Sequence, residues 1–208
     1  MDYSTAVGLL KKYKISVVEG GVVQNKEDAL KLAKQLGYPI VLKVISPEIS
    51  HKSDRGCVRV GISNPQSLSI AYRETLKHAG NARVDGVLVQ KMARPGVELI
   101  IGGKKDEQFG PLVLFGIGGI FVEVLKDVSM RVCPIKRSDA KEMVHEIKGF
   151  PLLTGVRGRE PVDLKSLETL LVNVSHFLYE NKNIGELDLN PVIAYKKGYA
   201  IVDVRVVE

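Results

Sequence analysis

With 208 residues, 45% of them apolar and 26% charged, the chain is long enough for one sizeable core or two small ones and too apolar to be disordered. Its net charge of +6 is scattered, and with no Trp and few aromatics among the basic residues it lacks the stacking platforms of a nucleic-acid binder. No apolar run is long enough to span a bilayer, the start Met1-Asp2-Tyr3-Ser4 carries no secretory pattern, and Cys57 and Cys133 fit no zinc spacing; a cytoplasmic protein with buried free thiols is expected.

Residues 2–13 read as a helix with Ala6, Val7, Leu10 and Tyr13 on one face. Ile15 to Val18 is predicted as a short strand and Gly20-Gly21 as a break. Asn25, with Asp28 three residues on, has the form of a helix N-cap, and the helix it opens carries Ala29, Leu30, Leu32, Ala33 and Leu36 to a stop at Gly37. Ile40-Val41-Leu42-Lys43-Val44-Ile45 follows, with the composition of a strand covered on both faces. Lys43 in its middle is costly to bury unless an anion meets it. The loop behind it, Ser46 to Gly56, is rich in hydroxyl and basic groups and ends at a glycine, where backbone can approach a ligand closely. A strand lysine before such a loop suggests a polyphosphate grip; a lysine snorkelling from a strand edge beside an ordinary polar connection fits the same residues.

Cys57 to Ile62 is predicted to pair with the Lys43 strand as a hairpin, Asn64-Pro65 to open a helix ending near Ala79, and Val84 to Met92 to form another strand before the turn Ala93-Arg94-Pro95-Gly96. Val97 to Gly102, Leu112 to Phe115, Phe121 to Leu125 and Arg131 to Ile135 read as strands. Gly116-Ile117-Gly118-Gly119 among them lacks the third glycine and the helix of a dinucleotide fingerprint. Ser138 to Ile147 and a long segment capped by Asp163 and running to Tyr179 read as helices. Ile184 to Tyr195 and Tyr199 to Val206 close the chain as a hairpin over Lys196-Lys197-Gly198. Strands and helices alternate without a parallel βαβ rhythm, which predicts an α+β arrangement in two lobes.

In Glu186-Leu187-Asp188-Leu189-Asn190-Pro191 the polar residues alternate with leucines, so Glu186, Asp188 and Asn190 share a strand face, with Asp203 on the return strand a near-diagonal neighbour of Asn190. Such oxygen ligands suit magnesium, which takes one or two carboxylates and fills its shell from substrate phosphates. A solvated face whose acids pair with Arg205 or a lysine is the other reading.

Gly37-Tyr38-Pro39-Ile40-Val41-Leu42-Lys43, His51-Lys52-Ser53-Asp54, Gly116-Ile117-Gly118-Gly119-Ile120-Phe121-Val122-Glu123 and Glu186-Leu187-Asp188-Leu189-Asn190-Pro191 resemble the ATP-grasp domain of ADP-forming acetyl-CoA synthetases. The likeness is to the separate beta chain found in archaea, and more distantly to succinyl-CoA synthetase beta. It implies a single ATP-grasp domain over residues 1–208, its two α+β subdomains, approximately 20–90 and 1–19 plus 91–208, clasping ATP. It implies that Lys43 holds nucleotide phosphates and that the loop with Ser53 and Gly56 covers them. The strand end at Gln90, Lys91 and Met92 is implied to receive adenine, and Glu98 to meet ribose. Asn190 and Asp203 correspond to magnesium ligands and Asp188 to an acid beside the transferred phosphate; Arg131 and Glu123 are expected to line the same site. His51 corresponds to a beta-chain histidine that relays the phosphoryl group.

The resemblance implies the reaction acyl-CoA + ADP + Pi ⇌ acid + CoA + ATP, with ATP/ADP and Mg2+. The expected partner is a CoA-binding alpha subunit that carries the phosphohistidine loop, in an α2β2 heterotetramer; neither nucleic acid nor membrane is an expected partner. The family usually has glycine where Cys57 stands, which puts the path of the phosphate loop in question. An ATP-grasp carboxylate–amine ligase, working without phosphohistidine, and a nucleotide-binding subunit without turnover are the competing readings.

Overall fold

Side chains that turn back on their own backbone start four of the described helices, the first with Asp2 accepting from the Thr5 amide at 3.0 Å. Asn25 accepts from the Asp28 amide at 2.8 Å, Asn64 from Ser67 at 2.8 Å and Asp163 from Ser166 at 3.2 Å. The computed structural model describes residues 1–49, 55–119, 126–156 and 160–208, and divides the chain into two units, Val18–Arg94 and Met1–Val17 with Pro95–Glu208. Among the described residues no helix is long and apolar enough to cross a membrane.

In the smaller unit, β1 (Gly20–Val23), β4 (Gly86–Lys91), β2 (Ile40–Ile45) and β3 (Val58–Ile62) lie in that order in an antiparallel sheet. α2 (Lys26–Leu36) and α3 (Pro65–Ala79) bury Ala29, Ala33 and Leu68 against Ile40, Leu42 and Val89. The expected break at Gly20-Gly21 is instead strand β1. A Cβ on Gly20 would sit 2.6 Å from the Val89 carbonyl oxygen, so glycine is what lets β1 close onto β4. The expected strand at Ile15 to Val18 reduces to one parallel bridge from Val17 to Ile201, in the larger unit.

The larger unit is a six-stranded sheet in the order β10 (Val204–Val207), β8 (Glu186–Ala194), β5 (Val97–Asp106), β6 (Gly110–Ile117) and β7 (Val128–Val132), with β9 (Tyr199–Ile201) paired to β8. α4 (Arg137–Glu146) and α6 (Leu164–Glu180) cover one face, burying Met143, Leu171 and Val174 against Leu99, Ile101 and Phe115. α1 (Tyr3–Lys12) packs along β10. The short α5 (Phe150–Leu153) carries no periodic signal in the sequence and was not expected. The strand expected over Arg131 to Ile135 runs over Val128–Val132, because Pro134 has no N–H to extend a ladder. Phe121 to Leu125 lies outside the described residues.

Candidate nucleotide and metal site

Alternation along β2 sends Ile40 and Leu42 toward the helices, and therefore Val41 and Lys43 to the opposite face of the sheet. Lys43 pairs with Leu88 on β4 and Val58 on β3, and only 5% of it is exposed. An ammonium so deeply set is the sort of group that an anionic ligand repays. On the same face Gln90 is fully buried and donates to the Val18 carbonyl at 3.2 Å, which ties the entry of the unit to β4. The backbone amides next to it are also committed: Lys91 donates to the Glu19 oxygen at 2.9 Å and Met92 to the Pro39 oxygen at 3.2 Å. A base arriving at this strand end therefore meets exposed Lys91 and Met92 side chains, and finds these two N–H groups already used.

Gly56, at the end of the connection that follows β2, has φ +69°, a backbone conformation that L side chains rarely adopt. Cys57 is fully buried with Val44, Ile49 and Ala79, so its side chain turns into the core. His51, Ser53 and Glu123 lie outside the described residues.

In the larger unit the leucine alternation holds as expected: Leu187 and Leu189 are buried while Glu186 and Asn190 are exposed and Asp188 is half-buried. The pattern then changes phase, with Val192 and Ala194 buried. β5 pairs Leu99 with Val192 but Ile101 with Leu189, so Asn190 and Pro191 together oppose Ile100 in a β-bulge. On the other side, β8 pairs Val192 with Ile201 and Leu189 with Val204, and Val202 and Asp203 interrupt the return strand. Two residues on each strand fill the gap, which puts Asp203 across from Asn190 rather than diagonal to it. The Asp203 carboxylate also accepts from the Val204 amide at 3.0 Å, which fixes its position. Glu98, exposed on β5, shares the helix-free side of that strand with Ile100 and Gly102.

Burial pushes the Asp188 carboxyl above its ordinary range, and the charges of Glu186 and Asp203 push it further, while Arg205 pulls it back. Burial and the Asp203 charge together push the Tyr3 phenol up to about 12. Negative charge thus accumulates on one sheet face. Among the described residues no group of three or more His, Cys, Asp or Glu could hold a metal ion. The donors that do converge, an amide oxygen and a carboxylate with a second carboxylate nearby, suit a hard cation that draws most of its shell from phosphate oxygens.

Arg131 occupies a different position from the one expected. From β7 its guanidinium grips Glu146 on α4 with both nitrogens, at 2.9 and 2.6 Å, and Ser129 donates to the same carboxylate. The fork is filled by this partner, so Arg131 is a clamp between strand and helix. The pair holds the Glu146 carboxyl below its ordinary value of 4.5. A lowered carboxyl stabilises the fold above that value and ceases to do so as pH falls through the lowered one. Arg131→Gln is expected to lower Tm by about 2–4 °C at neutral pH and to flatten the acid-side loss of Tm, with kcat within about two-fold of the parent. Thermal melts against pH alongside initial rates check this; a large kcat loss at unchanged Tm would restore a catalytic role.

Arg205, which the sequence offers as a partner for the acids of this face, lies directly across from Asp188. Its spacing of two from Asp203, which sets both on one strand face, was the available signal.

Residues 1–207 match the family model described as the ATP-grasp domain. Acetate–CoA ligase (ADP-forming) I of Archaeoglobus fulgidus is 45% identical over 203 residues, which are 96% of this chain and 30% of that protein. Acetate–CoA ligase (ADP-forming) I subunit beta of Pyrococcus furiosus is 44% identical over 96% of this chain and 88% of its own length. The chain therefore spans less than a third of the first relative and most of the second. Dinucleotide forming acetyl-coenzyme A synthetase 1 of Ca. Korarchaeum cryptofilum, solved with coenzyme A and Mg-AMPPCP and with its phosphohistidine segment pointing towards the nucleotide binding site, matches at TM-score 0.87 and 43% identity. That match covers 98% of this chain and 90% of the other.

Proposed function

The chain belongs to the ATP-grasp family, and on that footing we propose that it is the nucleotide-handling beta subunit of an ADP-forming acyl-CoA synthetase. The overall reaction is acyl-CoA + ADP + Pi ⇌ acid + CoA + ATP. The step assigned to this chain moves a phosphoryl group between histidine and ADP. The N–P bond breaks with its electron pair returning to the imidazole, which takes up a proton, and an ADP β-phosphate oxygen forms the new P–O bond. Such a transfer needs positioning and charge neutralisation more than covalent chemistry.

In this reading Lys43 holds the nucleotide phosphates, and Ser53 and Gly56 belong to the loop that covers them. Lys91 and Met92 receive the base through groups other than their committed amides, with Gln90 fixing that strand end; Glu98 meets the ribose. Asn190 and Asp203 hold magnesium, Asp188 faces the moving phosphoryl group, and Glu123 lines the same site. Bound Mg2+ supplies positive charge to the phosphate oxygens. The observation that carries the reading is the register of β8 against β9 and β10, which sets the Asn190 amide and the Asp203 carboxylate across from each other beside the Asp188 carboxylate. The likeness to ADP-forming acetate–CoA ligases over 96% of the chain favours it over a carboxylate–amine ligase. The partner is a CoA-binding alpha subunit that brings the phosphohistidine, in an α2β2 assembly and a cytoplasmic location.

His51 is assigned as a relay for the phosphoryl group. The test incubates the chain and its co-purified partner with γ-labelled ATP. Acid-labile label is expected on both chains, and His51→Ala is expected to remove it from this one. Label on the partner alone would overturn the relay but keep the function, while label on neither would overturn both.

A further inference from the structure

Arg205 stands two residues beyond Asp203 on the same side of the return strand, about 7 Å along it. The β8–β10 register puts it directly across from Asp188. Its side chain is 66% exposed, and its ion pair with Glu186, at 3.9 Å, lies at the outer limit of such contacts. We propose that Arg205 is a catalytic residue of the phosphoryl transfer: its guanidinium leaves Glu186 and holds the oxygens of the phosphoryl group in transit. The assignment rests on the nucleotide-handling function proposed above.

Three observations carry it. Glu186, Asp188 and Asp203 all border this part of the sheet, and a phosphoryl group arriving there meets their repulsion unless a cation faces it. Among the described residues, Arg205 is the cation that the strand register sets directly across from Asp188. Lys104, also exposed, lies opposite Glu186, two residues farther from Asn190 along β8. Finally, the contact that Arg205 gives up is weak. An exposed ion pair is worth about 1 kcal/mol or less, whereas a guanidinium on a phosphoryl group makes paired, charge-assisted hydrogen bonds. Arg205 keeps all its protons throughout and supplies charge alone, so the bond changes are those of the histidine-to-ADP transfer.

The test uses the chain with its co-purified partner, labelled on histidine, and follows single-turnover label transfer to ADP, with calorimetry of MgADP in parallel. Arg205→Gln is expected to transfer about 100-fold more slowly, with MgADP affinity within two-fold of the parent and an unchanged Tm. Arg205→Lys is expected to recover about ten-fold of the loss, because it restores charge without the fork. Transfer within about three-fold of the parent in Arg205→Gln overturns the assignment. So does a fall in MgADP affinity that accounts for the whole rate loss, since Arg205 would then act on the bound nucleotide and not on the phosphoryl group in motion. If the parent binds no MgADP, the nucleotide reading falls, and this assignment falls with it.

Discussion

Lys43→Met is expected to weaken MgADP and MgATP binding by about 100-fold in calorimetry. Methionine keeps most of the apolar stem and volume of lysine, so the change deletes a charge from β2 without opening a cavity. Lys43 is only 5% exposed and lies on the sheet face opposite α2 and α3. A charge-assisted contact to phosphate in such a setting contributes about 2–3 kcal/mol, and every 1.4 kcal/mol is tenfold in affinity. Tm should stay within about 4 °C, the shift that 1 kcal/mol makes in a chain of this size. Unchanged affinity would remove Lys43 from the site, and a collapse of Tm would show that the ammonium serves the fold instead.

Asp188→Asn is expected to separate stability from turnover. The carboxyl is raised by burial and by like charges at Glu186 and Asp203, so its ionised form works against the folded chain. A raised carboxyl stabilises fully below its ordinary value of 3.8, and that contribution is lost as pH climbs through the raised one. The neutral amide escapes this loss. Without nucleotide, the variant's Tm should exceed the parent's at neutral pH, and the gap should open from about pH 4 upward. Phosphoryl transfer should meanwhile slow by about 100-fold or more, as when a group that carries a proton for the reaction is removed, here the proton taken up by the imidazole. Melts against pH and single-turnover rates check both halves. A variant that is less stable at neutral pH would show that the carboxylate is satisfied where it stands.

What could be read from the sequence was local or strongly patterned. Asn25, Asn64 and Asp163 announce helices because each bonds an amide three residues ahead. Lys43 stood out because its neighbours on both sides are apolar. What escaped depends on partners far along the chain. Gly20-Gly21 reads as a break until β4, some 70 residues later, lies against it. Arg131 finds its fork filled by Glu146 on a separate helix. The near-diagonal placing of Asn190 and Asp203 missed the hairpin register, in which Ala194 faces Tyr199 and Asn190 therefore faces Asp203, and nothing in the alternation before Pro191 marks the bulge of β8 against β5. Arg205 was visible as a partner for these acids, but which of them it faces was not.

That bulge behaves like a dislocation in a lattice. The segment holding Leu187 and Leu189 and the segment holding Val192 and Ala194 each keep their own footing in the core, half a repeat out of step. Because the misfit is matched on the opposing strand by Val202 and Asp203, it cannot anneal away by small local adjustments. The far end of the hairpin is therefore free to drift in sequence without turning Asp188 and Asn190 off the face they share.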